Sequence, residues 1–303
     1  MTKRSVLVAI ALFSLGCSRG AERPASQQPA VHTTTLPART PADTGMGSDD
    51  GQWRMPARNF ASTRYSGLGQ ITAQNVGQLQ LAWTFSTGVT RGHEAGPLVV
   101  DSTMYVVTPF PNILYALDLS KPGAPAKWTY KPSPMLAAQG VACCDLVNRG
   151  AVYYDGKIYY NTLDAHTVAV DAKTGKEVWK TQVGDINRGE SITMAPLVVK
   201  GKVLVGNSGG EFGVRGWLAA IDAATGKLAW RAYSTGSDAD CLIGADFHPY
   251  YAQDRGKDLG IHSWPPERWR MGGSTVWGFV SYDPALDAVY YGTANPGVWN
   301  PDM

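Results

Sequence analysis

The chain has 303 residues, of which 44% are hydrophobic, so it is long enough to bury a sizeable core. Its 27 basic and 25 acidic residues nearly balance, which gives no electrostatic reason to expect a nucleic acid as a partner. The 10 Trp, 14 Tyr and 34 Gly favour β structure with tight turns.

Residues 1–17 have the features of a secretory signal peptide. Lys3 and Arg4 precede the apolar run VLVAIALFSLG, which is too short to span a bilayer as a mature helix. The run leads into Cys17, and the ending LGC resembles a bacterial lipobox, although Ser14 replaces the usual large aliphatic residue. We expect export to the periplasm, followed either by lipid attachment to a membrane through Cys17 or by ordinary cleavage and release.

Residues 18–50 are predicted to form a flexible linker. This segment is rich in Pro, Ser, Thr, Ala and Gln and has almost no large apolar residues. It therefore buries too little surface to offset the entropy lost on ordering.

From about residue 51 onward the sequence repeats. The segment VAVDAKTGKEVWKTQVG recurs as LAAIDAATGKLAWRAYSTG, and both the Asp and the Trp of the two copies are 51 residues apart. A looser copy contains Trp128, and a fourth, QLQLAWTFSTG, retains only Trp83. The shared unit is an apolar strand, an Asp, a Thr-Gly turn and a strand that carries Trp. We expect these Trp side chains to pack between neighbouring repeats.

Three further segments each combine two β-rich runs with a short polar turn: GPLVVDSTMYVVTP, GAVYYDGKIYYNTLD and APLVVKGKVLVGNS. The Asp155-Gly156 pair in the second is a strong hairpin signal. Each repeat thus holds about four short strands, which predicts an all-β fold of the β-propeller type. The copies indicate roughly four blades, and the abrupt ending at Met303 leads us to expect the N-terminal part of a longer propeller.

Six strings in order resemble one family, the pyrroloquinoline quinone (PQQ) dependent methanol/ethanol dehydrogenases. They are NFASTRYSGLGQITAQNVGQLQLAWTF, RGHEAGPLVV, GVACCDLVNRG, ITMAPLVVKGKVLVGNSGGEFGVRGW, GGSTVWGFVSYDP and YYGTANPGVWNP. The resemblance implies an eight-bladed quinoprotein propeller when complete, with about half of it present in residues 51–303. It also implies oxidation of primary alcohols to aldehydes by hydride transfer to metal-bound PQQ, with a c-type cytochrome as the electron acceptor.

The resemblance assigns cofactor contacts to ten positions. The adjacent Cys143 and Cys144 would form a disulfide that covers one face of PQQ, and an exported protein meets the oxidising conditions this requires. Trp277 would cover the other face, and Arg149 would bring a fixed cation to the quinone oxygens. The remaining assigned contacts are Glu94, Thr193, Ser208, Gly209, Gly210 and Thr275.

The resemblance also assigns two metal ligands, Glu211 and Asn295. Both supply hard oxygen donors, which suit Ca²⁺ or a lanthanide. In the family the general base is an Asp that also contacts the metal, and we expect it to lie beyond Met303. Asp302 falls in the wrong motif for this role.

Two rival functions remain open from the sequence. A non-catalytic propeller lipoprotein of the outer-membrane assembly scaffold type would share the lipobox, the linker and the Trp repeat, but it would not need the Cys pair, Glu211 or Asn295. A sugar-oxidising PQQ enzyme is disfavoured by the Cys pair. Cys241 is predicted to be a buried small side chain, and residues 246–270 to form a loop.

Overall fold

The computed structural model describes residues 50–142, 145–247 and 256–297. In this part of the chain the strands form three four-stranded antiparallel sheets and one two-stranded sheet. The first sheet contains β1 (Leu98–Val100), β2 (Thr103–Val107), β3 (Leu114–Asp118) and β4 (Ala126–Tyr130). The second contains β5 (Ala151–Tyr154), β6 (Lys157–Thr162), β7 (His166–Asp171) and β8 (Glu177–Gln182).

The third sheet contains β9 (Leu197–Val199), β10 (Lys202–Gly206), β11 (Trp217–Asp222) and β12 (Leu228–Tyr233). The two-stranded sheet contains β13 (Val280–Asp283) and β14 (Ala288–Tyr291). Within each sheet the strands follow chain order, so every connection is a hairpin. The prediction of an all-β chain built from four-stranded repeats is confirmed.

The predicted hairpins lie where the sequence places them. Asp155 and Gly156 connect β5 to β6 with φ values of 47° and 70°, the two positive values that a type I′ turn needs. The register that follows pairs Tyr154 with Lys157 and Ala151 with Tyr160.

The sheets lie side by side with their first strands inward. β1 contacts β5, β5 contacts β9, and β9 contacts β13. The middle strands are almost fully buried, whereas the last strand of each sheet is half-exposed, as β11 and β12 illustrate. This arrangement of blades around a common centre is that of a β-propeller.

Two of the predicted Trp side chains pack between neighbouring sheets. Trp128 donates from Nε1 to the carbonyl of Ala172 at 3.2 Å, and a Cβ on Gly175 would lie 2.6 Å from its ring. Trp179 repeats the arrangement one sheet later, donating to the carbonyl of Ala223 at 3.0 Å. The expectation that these Trp residues join the blades is therefore confirmed for both.

The copy around Trp83 differs from its prediction. Residues 79–97 contain no strand, and the nearest regular element is a 3₁₀ turn at Val76–Gln78. The physical reason is that no described strand pairs with this segment, and an isolated β-run does not form a sheet.

The segment after β12 is held to the third sheet by Arg215. Its Nη2 atom donates to the carbonyl of Thr235 at 2.5 Å and lies 3.2 Å from Asp240. Beyond it lies a four-residue helix, α1 (Leu259–His262), in the region predicted to be a loop. Cys241 is free and only partly buried, where the sequence predicted a buried small apolar side chain. No helix among the described residues has the length and apolarity needed to cross a membrane.

Candidate functional site

A cavity of about 110 Å³ lies among the segments that lead into the first strands of the sheets. Its walls come from the segment before β5, the segment before β9, the turn after β10 and the segment before β13. The lining residues are Asp145, Val147, Arg149, Ser191, Thr193, Ser208, Glu211 and Trp277. Five of these eight are positions that the resemblance assigned to cofactor or metal binding.

Arg149 is fixed at the edge of this cavity by two neighbours. Its Nη1 atom donates to Thr193 Oγ1 at 2.7 Å, and its Nη2 atom lies 3.1 Å from Glu94 Oε2. Its backbone N–H also donates to the carbonyl of Thr193 at 3.0 Å. Because the guanidinium group is planar and always charged, these contacts hold a positive charge in one orientation.

The same guanidinium group lies over the indole of Trp277, with 5.0 Å between Arg149 Cζ and the ring centroid. Trp277 is 42% exposed, so much of its surface is available to a ligand. A flat aromatic surface beside a fixed cation suits a planar, anionic molecule.

Two hydroxyl groups continue the polar wall. Thr193 Oγ1 and Ser208 Oγ are 2.9 Å apart, and either can be the donor. Ser191 and Ser208 form an isolated antiparallel bridge, which brings the segment before β9 against the turn after β10. These two segments therefore present their hydroxyls side by side.

Gly209 and Gly210 allow the turn after β10 to approach its neighbours closely. A Cβ on Gly209 would lie 2.1 Å from the carbonyl oxygen of Gly189, and the residue has φ +103°. A Cβ on Gly210 would lie 3.2 Å from Thr275 Oγ1. That hydroxyl is buried and has no hydrogen-bond partner among the described residues, so a bound polar group could satisfy it.

The two assigned metal ligands lie on segments that meet at Thr275. Glu211 is exposed in the 3₁₀ turn Gly210–Phe212 and lines the cavity. Asn295 is also exposed, and its carbonyl accepts from the N–H of Ser274 at 3.0 Å. No group of three or more His, Cys, Asp or Glu suited to a metal occurs in the described ranges. Glu211 and Asn295 thus offer two oxygen donors, one of them an amide.

Cys143 and Cys144 lie outside the described residues. Val141, Ala142 and Leu146, which lie close to the pair in the sequence, pack against a small apolar cluster. The buried residues of this cluster are Ala138, Leu163 and Ile186. The loop that leads to the pair is tied down by Asp164, whose Oδ2 accepts from the N–H of Met135 at 3.0 Å.

Burial by itself would raise the pKa of Asp164. Hydrogen bonds from His166, Thr162 and the Met135 N–H outweigh this and lower the pKa to about 2. The side chain is therefore a buried carboxylate with a defined structural task.

Sequence reasoning did not identify three of the cavity residues, namely Asp145, Val147 and Ser191. Asp145 has a φ of 93°, and its Oδ1 lies 3.7 Å from Arg91 Nε. It directly follows the Cys pair, so its position beside assigned residues was the available signal. Val147 and Ser191 each lie two positions before an assigned residue, but their side chains give no chemical signal, since small and apolar residues occur throughout the chain.

The blades define a propeller, and the cavity lies among the segments that precede its first strands β5, β9 and β13. The family model described as "Glucose/ethanol/alcohol dehydrogenase, beta-propeller domain" (PQQ) matches residues 53–300, and the chain belongs to this family.

The chain is 55% identical over 255 residues to a lanthanide-dependent methanol dehydrogenase of Methylacidiphilum fumariolicum strain SolV, covering 84% of this chain and 42% of that protein. It is 49% identical to methanol dehydrogenase [cytochrome c] subunit 1 of Methylobacterium organophilum, covering 85% of this chain and 42% of that protein. The solved structure of a europium-containing methanol dehydrogenase matches with a TM-score of 0.81 and 55% identity, covering 83% of this chain and 44% of that one. The chain thus spans less than half the length of these relatives.

Proposed function

We propose that this chain binds PQQ together with Ca²⁺ or a lanthanide and serves the oxidation of primary alcohols to aldehydes. The observation that carries the proposal is the convergence of Arg149, Glu94, Thr193, Ser208 and Trp277 around one cavity. The identity to two methanol dehydrogenases supports the same assignment.

The residues present fit a planar, polyanionic cofactor. Trp277 offers an aromatic face, and Arg149 holds a positive charge beside it. The hydroxyl of Thr275, buried without a described partner, and the hydroxyl pair of Thr193 and Ser208 offer hydrogen bonds to carboxylate and carbonyl oxygens. Gly209 and Gly210 let the backbone come close to the ligand. Cys143 and Cys144, as a disulfide, would cover the opposite face.

Glu211 and Asn295 would hold the metal. Their carboxylate and amide oxygens are the ligand types that Ca²⁺ and lanthanides prefer, and neither is a soft donor for zinc or copper. PQQ held here would supply an acceptor for the hydride of the alcohol, and the cation would supply Lewis-acid chemistry. Arg149 would add a fixed positive charge beside Trp277. We assign no described residue to the general base that takes the alcohol proton.

We further propose a small alcohol as substrate and a c-type cytochrome as electron acceptor. The support for the acceptor is that relatives at 44–49% identity carry "[cytochrome c]" in their names. The rival non-catalytic scaffold function does not require an arginine held beside an exposed indole, so the site geometry favours the enzyme.

We also propose that the protein is periplasmic, with lipid attachment through Cys17 as the anchored form. The support is the basic start and apolar run of residues 1–17, which lie outside the described residues. Mass spectrometry of the mature N-terminus tests this. A diacylated Cys17 supports the anchored form, and an unmodified N-terminus beyond residue 17 supports a released protein.

The decisive test of function is a titration of the purified chain with PQQ, followed by tryptophan fluorescence, with Ca²⁺, with La³⁺ and with neither. We expect saturable binding that needs one of the metals. Arg149→Ala should weaken binding about 10–100-fold, because it removes a charge-assisted contact and leaves Glu94 unpaired.

Arg54→Ala is the matched control. Arg54 is paired with Asp50 at 2.8 Å on the half-exposed N-terminal segment, and it does not line the cavity. The affinity of the Arg54→Ala variant for PQQ should equal that of the unchanged chain. Equal affinity of the Arg149 variant, or no PQQ binding with either metal, would contradict the proposal. Dye-linked oxidation of methanol, ethanol and glucose by the protein supplied with PQQ and metal then separates alcohol from sugar oxidation.

A further inference from the structure

Two buried asparagines lie directly behind the cavity, and neither was identified from the sequence. Asn148 is 1% exposed and Asn161 is 0% exposed. Asn148 immediately precedes Arg149, and Asn161 lies near the end of β6. Neither side chain lines the cavity.

The hydrogen bonds of these two residues form a closed circuit with the cavity wall. Asn148 donates from Nδ2 to the carbonyl of Asn161 at 2.8 Å, and Asn161 donates from Nδ2 to the carbonyl of Met194 at 2.9 Å. Met194 directly follows Thr193, whose carbonyl accepts from the N–H of Arg149 at 3.0 Å. These hydrogen bonds thus connect three segments of the chain: residues 148–149, the end of β6 and residues 193–194.

The acceptor atoms of the two amides are also used. Asn148 Oδ1 accepts from the N–H of Gly150 at 2.9 Å, and Asn161 Oδ1 accepts from the hydroxyl of Thr167 at 2.8 Å. Each amide is therefore fixed in one orientation, since both its donor and its acceptor sides have partners. A buried polar network with satisfied members is rigid, because every alternative arrangement would leave a polar atom unpaired.

From this circuit we propose that Asn148 and Asn161 are positioning residues that hold Arg149 and Thr193 in the geometry needed to bind PQQ. The inference rests on the proposed function for the identity of the ligand. The mechanical part of the proposal is that the asparagines fix the segments of Arg149 and Thr193 relative to each other. This part rests on the hydrogen bonds alone. A site held to a fraction of an ångström by such supporting bonds loses affinity when one of them is removed.

The test uses Asn161→Asp and Asn148→Asp in the full chain. Each change keeps the shape and the accepted hydrogen bond, but it replaces the donating nitrogen by an oxygen that faces a carbonyl. It also adds a buried acidic group, a change that the control variant below shares. We expect the affinity for PQQ to fall about tenfold or more in both variants. Amide hydrogen exchange in the cofactor-free chain should speed up at Arg149 and Gly150.

Asn112→Asp is the matched control. Asn112 is also 0% exposed, accepts from the N–H of Leu163 at 2.9 Å and donates to the carbonyl of Thr108 at 3.5 Å. Its bonds do not lead to Arg149 or Thr193. This variant should lose thermal stability without losing PQQ affinity or protection at Arg149.

The outcomes separate the two claims. Equal losses of PQQ affinity in all three variants, or unchanged affinity in both Asn148 and Asn161 variants, would overturn the positioning role. If the unchanged chain does not bind PQQ, the proposed function fails, and hydrogen exchange still decides the mechanical part: faster exchange at Arg149 supports it and unchanged exchange overturns it. If Asn161→Asp does not fold, Asn148→Asp carries the same comparison.

Discussion

Trp179 and Trp230 occupy the same position of the repeat, yet their surroundings differ. Trp179 donates to the carbonyl of Ala223, and its ring lies against Gly226 of the next sheet. Trp230 is 38% exposed, and no described residue accepts a hydrogen bond from its indole. The repeat motif therefore places a Trp where it can pack against a neighbouring sheet. The Trp is packed only where a described sheet adjoins it.

Apolar residues show the same difference between the outer side of the third sheet and the contact of the second and third sheets. Leu228 is 50% exposed beside Trp230, and Leu286 and Tyr290 of the two-stranded sheet are 54% and 52% exposed. Between the second and third sheets, by contrast, Tyr159, Ala219 and Ile221 are fully buried in one cluster. Burial of apolar area is the main stabilising term, so the joint between the second and third sheets should respond more strongly to mutation than the outer side of the third.

The largest effect is expected for Gly226→Ala. A Cβ at this position would lie 2.7 Å from the ring of Trp179, and the residue has φ +72°. Steric conflict and backbone strain together should cost about 3 kcal/mol in the free energy of unfolding. Urea denaturation measures this.

Gly156→Ala provides the control for backbone strain alone. Gly156 has nearly the same φ, +70°, but nothing lies within 4 Å of an added Cβ. It should cost about 1 kcal/mol. Equal losses in the two variants would show that contact with Trp179 does not limit the residue at position 226.

The second prediction compares the two tryptophans directly. Trp179→Ala removes packing at the joint and the hydrogen bond to Ala223, and it should cost about 3 kcal/mol. Trp230→Ala should cost less, about 1 kcal/mol, because Trp230 is 38% exposed and its indole donates to no described residue. Thermal denaturation of both variants checks the difference. A loss for Trp230→Ala as large as that for Trp179→Ala would contradict the prediction.

The third and smallest prediction compares a buried with an exposed carboxylate. The pKa of Asp164 is lowered to about 2 because hydrogen bonds outweigh burial, so its carboxylate stabilises the fold above the unfolded pKa of about 4 and loses this contribution as pH falls through about 2. Asp164→Asn should therefore cost about 2 kcal/mol at pH 7, and the deficit should shrink as the pH approaches 3.

Asp287 provides the exposed counterpart. A hydrogen bond from Lys200, 2.7 Å away, lowers its pKa, but both side chains are more than 60% exposed. Asp287→Asn should have a smaller effect that vanishes in about 1 M salt, because solvent ions screen exposed pairs. A pH-independent deficit for Asp164→Asn, measured by urea denaturation from pH 7 to pH 3, would rule out the carboxylate as its source.

Much of the fold was predictable because its signals are local. The Asp155-Gly156 turn, the alternating strands and the repeating Trp each depend on a few neighbouring residues. The copy at Trp83 shows the limit of this reasoning. Its sequence resembles the other repeats, but strand formation needs a partner strand, and the described residues provide none there.

The sequence alone determined the fold class and the period of the repeat, because these follow from residue type and spacing. The assignment of site residues came from the family resemblance of six strings of sequence. Only the tertiary structure decided which of those residues meet. It joined Arg149 to Glu94, a contact across 55 positions, and placed Asn148 and Asn161 behind the cavity. Such contacts connect different strands and turns, and no local pattern encodes which buried amide will bond to which distant carbonyl.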